Sequence, residues 1–291
     1  MAEARFDPAA LVARPVWEIR HKYDQRDTIL YALGVGAGQG VDGMPELRYV
    51  YEQGLAALPT MAVVLAYPGF WQQDPQYGID WTRILHGEQS VVFHRPLPVS
   101  GEVIGRFRIR SIHDKGEGKG ALLYAEREIV DAATGETLAT VVQNSFLRGN
   151  GGSGSAADGP PPAPHPLPTD RAPDHVITLH SHGDQTAIYR LSGDYNPLHI
   201  DPAVAAKAGF DRPILHGLCT YGMAGRAVIA AFCGGDESRL RRFDVRFSSP
   251  VFPGESIRFD LWNEGPGKGS LRATVIGREV QVLNNGYVEH D

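Results

Sequence analysis

The feature that most restricts how this chain can fold is an internal repeat. Ile84-Leu85-His86-Gly87 returns as Ile214-Leu215-His216-Gly217, and Gly101-Glu102-Val103-Ile104 as Gly254-Glu255-Ser256-Ile257. Gly118-Lys119-Gly120-Ala121-Leu122 matches Gly267-Lys268-Gly269-Ser270-Leu271, and Arg127-Glu128-Ile129 matches Arg278-Glu279-Val280. The matches keep one order, at offsets of 130, 153, 149 and 151 positions, so one module has been used twice. Between the copies lies GNGGSGSAADGPPPAPHPLP, Gly149 to Pro168, where 11 of 20 residues are Gly or Pro and none is aromatic. This reads as a linker, flexible in its glycine half and extended in its proline half. The 291 residues therefore divide into an N-terminal module over 1–148, a linker over 149–170 and a C-terminal module over 171–291.

The first offset differs from the others by about 20 positions, and the difference predicts unequal modules. In the second copy 37 positions separate Gly217 from Gly254, and LCTYGMAGRAVIAAF is apolar all round, the mark of a buried helix. Its small residues, Gly222, Ala224, Gly225 and Ala227, would let a sheet approach the helix axis. In the first copy only 14 positions separate Gly87 from Gly101, filled by the strand-like QSVVFHRPLPV, which leaves no room for a long helix. The runs EVIGRFRIRSI, ALLYAEREIV, TLATVVQNSFL, RRFDVRFSS, SIRFDLWNE and LRATVIGREVQVL alternate or are rich in β-branched residues and end in turn residues. The expectation is an α+β protein with two antiparallel sheets, one wrapped around a helix and the other lacking it.

Composition excludes several functions. With 28 Lys and Arg against 34 Asp and Glu, a net charge of −6 and no basic block, nucleic acid and anionic membrane surfaces are poor partners. No apolar run is long enough to span a membrane. Cys219 and Cys233 have neither a disulfide framework nor metal-ligand spacing and read as buried thiols in a reducing compartment. The N-terminus lacks a continuous apolar stretch after a basic start, and Tyr287 to Asp291 carry no targeting tripeptide. A cytoplasmic protein is the expectation.

Chemistry concentrates in YRLSGDYNPLHIDP, Tyr189 to Pro202, which sets Asp194, Asn196 and His199 within six positions. Gly193 and Pro197 make this a turn. A carboxylate close to an imidazole can share a water with it and suits acid/base work, because histidine titrates near neutrality. The same residues also read as an Asx-type turn carrying an ordinary surface histidine.

The longer run YRLSGDYNPLHIDPAVAAKAGFDRPILHGLCTYG, Tyr189 to Gly222, resembles the signature of the (R)-specific enoyl-CoA hydratases, the hydratase 2 branch of the MaoC-like dehydratases. The likeness extends through DTILYALGVGAG, the first ILHGEQ and VRFSSPVFPGE, and so over nearly the whole chain. It implies a double hot dog fold and reversible syn hydration of a trans-2-enoyl-CoA to the (3R)-3-hydroxyacyl-CoA, without cofactor or metal. It further implies that Asp194 and His199 are the catalytic pair, that Asn196 orients the water or the pair, and that the Gly217 N–H binds the thioester oxygen. By the same likeness His86, Gly87, Lys115, Tyr195, Pro197, Leu198 and Phe247 contact the CoA ester. Arg190, Lys207, Arg212, Arg226 and Arg246 are further candidate cations. The first module has no Asp-x-Asn-x-x-His, so one site per chain is expected, with the space of the missing helix holding a medium-to-long or bulky acyl chain. A homodimer is expected by analogy. Dehydration of carrier-protein or polyketide thioesters, non-catalytic acyl-CoA binding and nicotinamide-dependent oxidation are the competing functions.

Other motifs weigh less. Gly34-Val-Gly-Ala-Gly-Gln-Gly imitates a dinucleotide fingerprint but follows an Asp-capped helix, where the fingerprint needs a strand. Trp71, Tyr77 and Trp81 either line the acyl pocket or pack a loop on the core. His94, His113, His180 and His182 lack metal-ligand spacing.

Overall fold

The computed structural model describes residues 5–39 and 44–291; Met1 to Ala4 and Gly40, the last glycine of the Gly34 run, lie outside the described residues. Ten strands form one antiparallel sheet: β1 (Trp17–Tyr23), β2 (Ile84–Phe93), β3 (Gly101–Asp114), β4 (Ala121–Asp131), β5 (Thr137–Leu147), β6 (His175–His180), β7 (Leu240–Phe247), β8 (Ser256–Asn263), β9 (Lys268–Val275) and β10 (Val280–His290). Alternation drives them. In β3, Val103, Gly105, Phe107 and Ile109 are buried, while Arg106, Arg108 and Arg110 between them face solvent.

The spatial order β1-β3-β4-β5-β2-β7-β10-β9-β8-β6 is a palindrome of modules, five strands from each half, and this is the double hot dog architecture. The two sheets anticipated from sequence are joined into one. Glu88–Val92 of β2 pair with Arg242–Arg246 of β7, so each module covers the other's edge strand instead of exposing it. An ion pair between Arg246 and Glu88 at 2.7 Å crosses the seam. The run LRATVIGREVQVL also proves to be two strands, broken at Ile276–Glu279, where Glu279 adopts φ 49°.

Five α-helices accompany the sheet: α1 (Pro8–Val12), α2 (Gln25–Gly34), α3 (Gln185–Tyr189), α4 (Pro202–Lys207) and α5 (Gly217–Phe232). The N-cap of α2 is Asp24, in a capping box with Asp27. Helix α5 is the central helix, buried without a break from Cys219 to Ile229. Its small residues meet the other module rather than the sheet. A Cβ on Gly222 would lie 2.4 Å from Val35 Cγ1, and one on Gly225 2.5 Å from Thr60 Cγ2. The glycines thus let the two modules' helical layers touch.

In the N-terminal module the 3₁₀ turn Pro59–Val63 and the end of α2 pack against α5, and among the described residues no helix of the length of α5 is found there. Two of the four sequence matches do not fall on equivalent elements. Ile84–Gly87 opens β2, whereas Ile214–Gly217 leads into α5; Arg127 lies within β4, whereas Arg278 lies in the β9–β10 turn. The matches at Gly101 and Gly118 do fall on corresponding strand starts and hairpins.

The linker segment is fastened at both ends. Asp114 accepts from Gly152 and Gly154 N–H at 2.8 Å each, and Ala156 bridges Ile112. Further on, His165 meets Glu264 at 2.8 Å, and its carbonyl accepts from Asn285. Among the described residues no helix is long and apolar enough to cross a membrane. Both cysteines are buried free thiols, with Cys219 donating to the Gly34 carbonyl.

Candidate active site

The turn after α3 is built by its own side chains. Gly193, at φ 121°, takes a backbone conformation that L side chains rarely adopt. Asp194 Oδ1 then accepts from Asn196 N–H at 3.2 Å, and Asn196 Oδ1 from Leu198 N–H at 3.1 Å. Pro197 starts the 3₁₀ turn Pro197–His199. The Asx-type turn is therefore real, but it is the scaffold of a site and His199 is no surface residue. His199 is buried and donates Nδ1–H to the Ile214 carbonyl at 2.9 Å, which leaves Nε2 as an acceptor in the neutral ring.

His216, which sequence reading passed over, completes the group. Its ring stacks on His199 with centroids 3.8 Å apart and planes 29° apart, and its Nε2 donates to the Asp194 carbonyl at 3.2 Å. Its Nδ1 is buried without a hydrogen-bond partner. Burial, followed by the neighbouring His199 and Arg190 charges, pushes its pKa down to about 3. Burial also lowers His199, against the opposing pull of Asp194. Both imidazoles are neutral near pH 7. Asp194, His199 and His216 could each offer a ligand atom within 4.8 Å of the others. A metal ion, however, binds in the plane of an imidazole at about 2.1 Å, and two stacked rings hold those planes too nearly parallel to meet at one ion.

Asp194 and His199 open into a cavity of about 910 Å³ walled by both modules. All eleven residues nominated from sequence lie on its wall: Asp194, Asn196, His199 and Gly217 together with His86, Gly87, Lys115, Tyr195, Pro197, Leu198 and Phe247. Gly217 is the first residue of α5, and no side chain caps that helix. Cys219 and Thr220 N–H both bond to the His216 carbonyl, which leaves the Gly217 and Leu218 N–H groups at the positive end of the helix dipole for a ligand. Phe247 packs beside Gly217, its ring 3.3 Å from where a Cβ would stand, and against His86, with ring centroids 4.7 Å apart. Burial pushes His86 down to about 4. Lys115 is exposed in the β3–β4 turn with its Nζ 5.0 Å from the Phe146 ring centroid.

Of the further cations, Arg246 lines the cavity but is committed to Glu88, and Arg226 is held by Glu46 and the Val35 carbonyl. Arg190 and Arg212 sit on the rings of Tyr195 and Phe252. Trp71 and Tyr77 pack with Trp17 and Phe107 in the core, and Trp81 is exposed, so none lines the cavity. His94, His113, His180 and His182 also lie away from it. Besides His216, sequence reading missed Tyr67, Glu88 and Asn144 on the cavity wall. His216 had a signal in its repeat of the nominated His86; the other three had none.

Three buried imidazoles held neutral have a consequence for stability. The folded-state pKa values of His86, His199 and His216 are all depressed below the ordinary 6.5, so below that pH the unfolded chain binds more protons than the folded one. Stability is therefore lost as pH falls from 6.5 toward the folded values, by up to about 1.4 kcal/mol per pH unit for each imidazole. A melting temperature that drops steadily between pH 7 and pH 5 is expected, and a flat profile would contradict the buried neutral rings.

In a fused pair of hot dog modules, a turn carrying a carboxylate and an imidazole shares one cavity with one helix N-terminus, an arrangement suited to acid/base chemistry beside a developing oxyanion. Comparison with known proteins names the group. The profile of the MFE-2 hydratase 2 N-terminal domain matches residues 21–149, and that of the MaoC like domain residues 165–285. The 3-hydroxyacyl-thioester dehydratase Y of Mycobacterium tuberculosis is 40% identical over 92% of this chain and 93% of its own. The peroxisomal enoyl-CoA hydratase 2 of Arabidopsis thaliana is 36% identical over 99% and 96%. The crystal structure of a MaoC-like dehydratase from Phytophthora capsici superposes with a TM-score of 0.86 at 37% identity, covering 97% of each chain. The chain belongs to the MaoC-like dehydratase family, in its hydratase 2 branch.

Proposed function

We propose that this enzyme catalyses the reversible syn addition of water to a trans-2-enoyl-CoA, forming the (3R)-3-hydroxyacyl-CoA, with acyl groups of medium to long or bulky kind. The observation that carries the reading is the single Asp194–His199 pair set in one cavity with the free N–H groups that begin α5. Asp194 and His199 hold the water between them, and Asn196 keeps the turn in shape through its bond to Leu198 N–H. His199 is neutral with a free Nε2, so the pair takes a proton from the water as hydroxide adds to C3 and then delivers that proton to C2. Taking and returning the proton from one side puts H and OH on the same face of the double bond, which is syn addition. The Gly217 N–H faces the thioester oxygen, which becomes enolate-like as C3 is attacked, an interaction commonly worth about 3 to 4 kcal/mol.

His86, Gly87 and Phe247 line the path of the ester beside Gly217, with Tyr195, Pro197 and Leu198 opposite. Lys115 receives a CoA phosphate. Lys115→Ala should raise KM for the CoA ester several-fold at low salt and leave kcat nearly alone; an unchanged KM would remove Lys115 from the binding site. The module boundaries near 148 and 171, a cytoplasmic location and a homodimer paired through the free edges β1 and β6 belong to the same proposal. Two buried reduced thiols fit that compartment, and exposed sheet edges favour pairing.

The testing experiment follows loss of the enoyl double bond by ultraviolet absorbance over a panel of trans-2-enoyl-CoA esters, with chiral analysis of the product. An (R) alcohol is expected. An (S) product, or turnover only of carrier-protein thioesters, would overturn the reading.

A further inference from the structure

A second cavity, of about 380 Å³, lies behind the catalytic one. Val64, Tyr67, Gly69, Ser192 and Gly193 line both, so the two share a wall, and the rest of the second is largely apolar, with Ile19, Leu30, Met61, Leu65 and Leu191 beside the polar Arg20, His21 and Asp27. Leu191 is 49% exposed where this cavity reaches the surface. Tyr67 also lines a small third cavity of about 20 Å³ bounded by Gln72, Gln143 and Arg127, and so stands where all three meet.

The backbone around Tyr67 is held in place. Ala66, just before it, adopts φ 47°, a left-handed conformation rare for a residue with a Cβ, and is pinned there by donating its N–H to His21 Nδ1 at 2.9 Å. Upstream, Arg127 donates to the Val63 carbonyl at 2.7 Å, and its guanidinium stands 5.7 Å from the Tyr67 ring centroid. Pro68 follows and restricts Tyr67 to extended backbone. A side chain braced on both sides cannot be swung aside cheaply by a flexible acyl tail.

We propose that the cavity behind Tyr67 is a second apolar subsite for acyl tails, separated from the catalytic cavity by the Tyr67 ring, and that this ring sets the longest or bulkiest acyl group turned over. The inference rests on the enoyl-CoA hydratase reading of the site. Tyr67 and Asp194 line the same cavity, so an acyl chain leaving the thioester passes the ring.

The test compares kcat/KM for hexadecenoyl-CoA with that for crotonyl-CoA. Tyr67→Ala should raise the long-to-short ratio about tenfold or more, because it joins the two cavities. Tyr67→Phe, which keeps the wall and removes only the hydroxyl, should leave the ratio within about twofold of wild type. Leu30→Trp fills the second cavity alone, and combined with Tyr67→Ala it should return the ratio to the wild-type value. If Tyr67→Ala does not fold, Tyr67→Leu gives the same reading. An unchanged ratio in the folded Ala or Leu variant, or a shift in Tyr67→Phe as large as that in Ala, would overturn the partition while leaving crotonyl-CoA hydration intact. Wild-type protein inactive on both esters would overturn the hydratase reading itself.

Discussion

Replacing Asp194 with Asn, or His199 with Ala, lowers kcat by about 10²- to 10⁴-fold and leaves KM near the wild-type value, as expected for loss of an acid/base group that acts in the transition state. The geometry explains why neither residue can cover for the other. His199 spends its Nδ1–H on the Ile214 carbonyl and has one nitrogen left for the water. His216, stacked 3.8 Å away, cannot substitute, because its Nε2 is bonded to the Asp194 carbonyl and its pKa is pushed down to about 3. Asp194→Asn keeps an oxygen that can accept from Asn196 N–H, so the turn should survive and the loss should be chemical. Steady-state kinetics on crotonyl-CoA, with melting temperatures of both variants, checks this; near wild-type kcat in either would remove that residue from the catalytic pair.

Gly217→Pro lowers kcat by about 10²- to 10³-fold, the usual cost of losing one oxyanion donor, while the protein stays folded. Proline is the one coded residue that deletes the Gly217 N–H, and the site is prepared for it. Gly217 is the first residue of α5, where proline's fixed φ suits the helix and its missing donor costs no helical hydrogen bond. His216 before it already has φ −57° and ψ 134°, the extended conformation a following proline demands. The added carbon would stand about as far from the Phe247 ring as a new Cβ, 3.3 Å, so that ring must give by a few tenths of an ångström. Gly217→Ala, which adds a Cβ at the same point and keeps the N–H, is the control and should retain most of its activity. Equal losses in Pro and Ala would show that space at Gly217 matters and the N–H does not.

Much of this protein was legible before any coordinates, for physical reasons. Strands such as Thr137–Leu147 announce themselves because alternation along a half-buried sheet is a local pattern. Helix α5 does so because a segment apolar on all sides can only be buried. The turn from Asp194 to His199 is legible because its side chains bond the backbone two residues on, at Asn196 and Leu198, so sequence spacing is nearly spatial spacing. The reading faltered where meaning depends on distant partners. Ile84–Gly87 looks like Ile214–Gly217 yet opens a strand, because no helix follows it and the chain must enter β2 at once. The glycines of α5 promised a close neighbour without naming it, and that neighbour is the other module's Val35 and Thr60.

The sequence alone determined that this protein is a duplicated module with one helix missing and one turn that brings a carboxylate and an imidazole together, since repeats, periodicity and turn chemistry are properties of neighbouring residues. Tertiary structure decided that the two sheets are one, through pairs such as Glu88 and Arg246, 158 positions apart. It also decided that His216 stacks on His199, and that Tyr67 lines both the larger cavity and its neighbour. Those outcomes depend on which surfaces the two modules bury against each other, and packing between distant segments leaves no periodic trace along the chain.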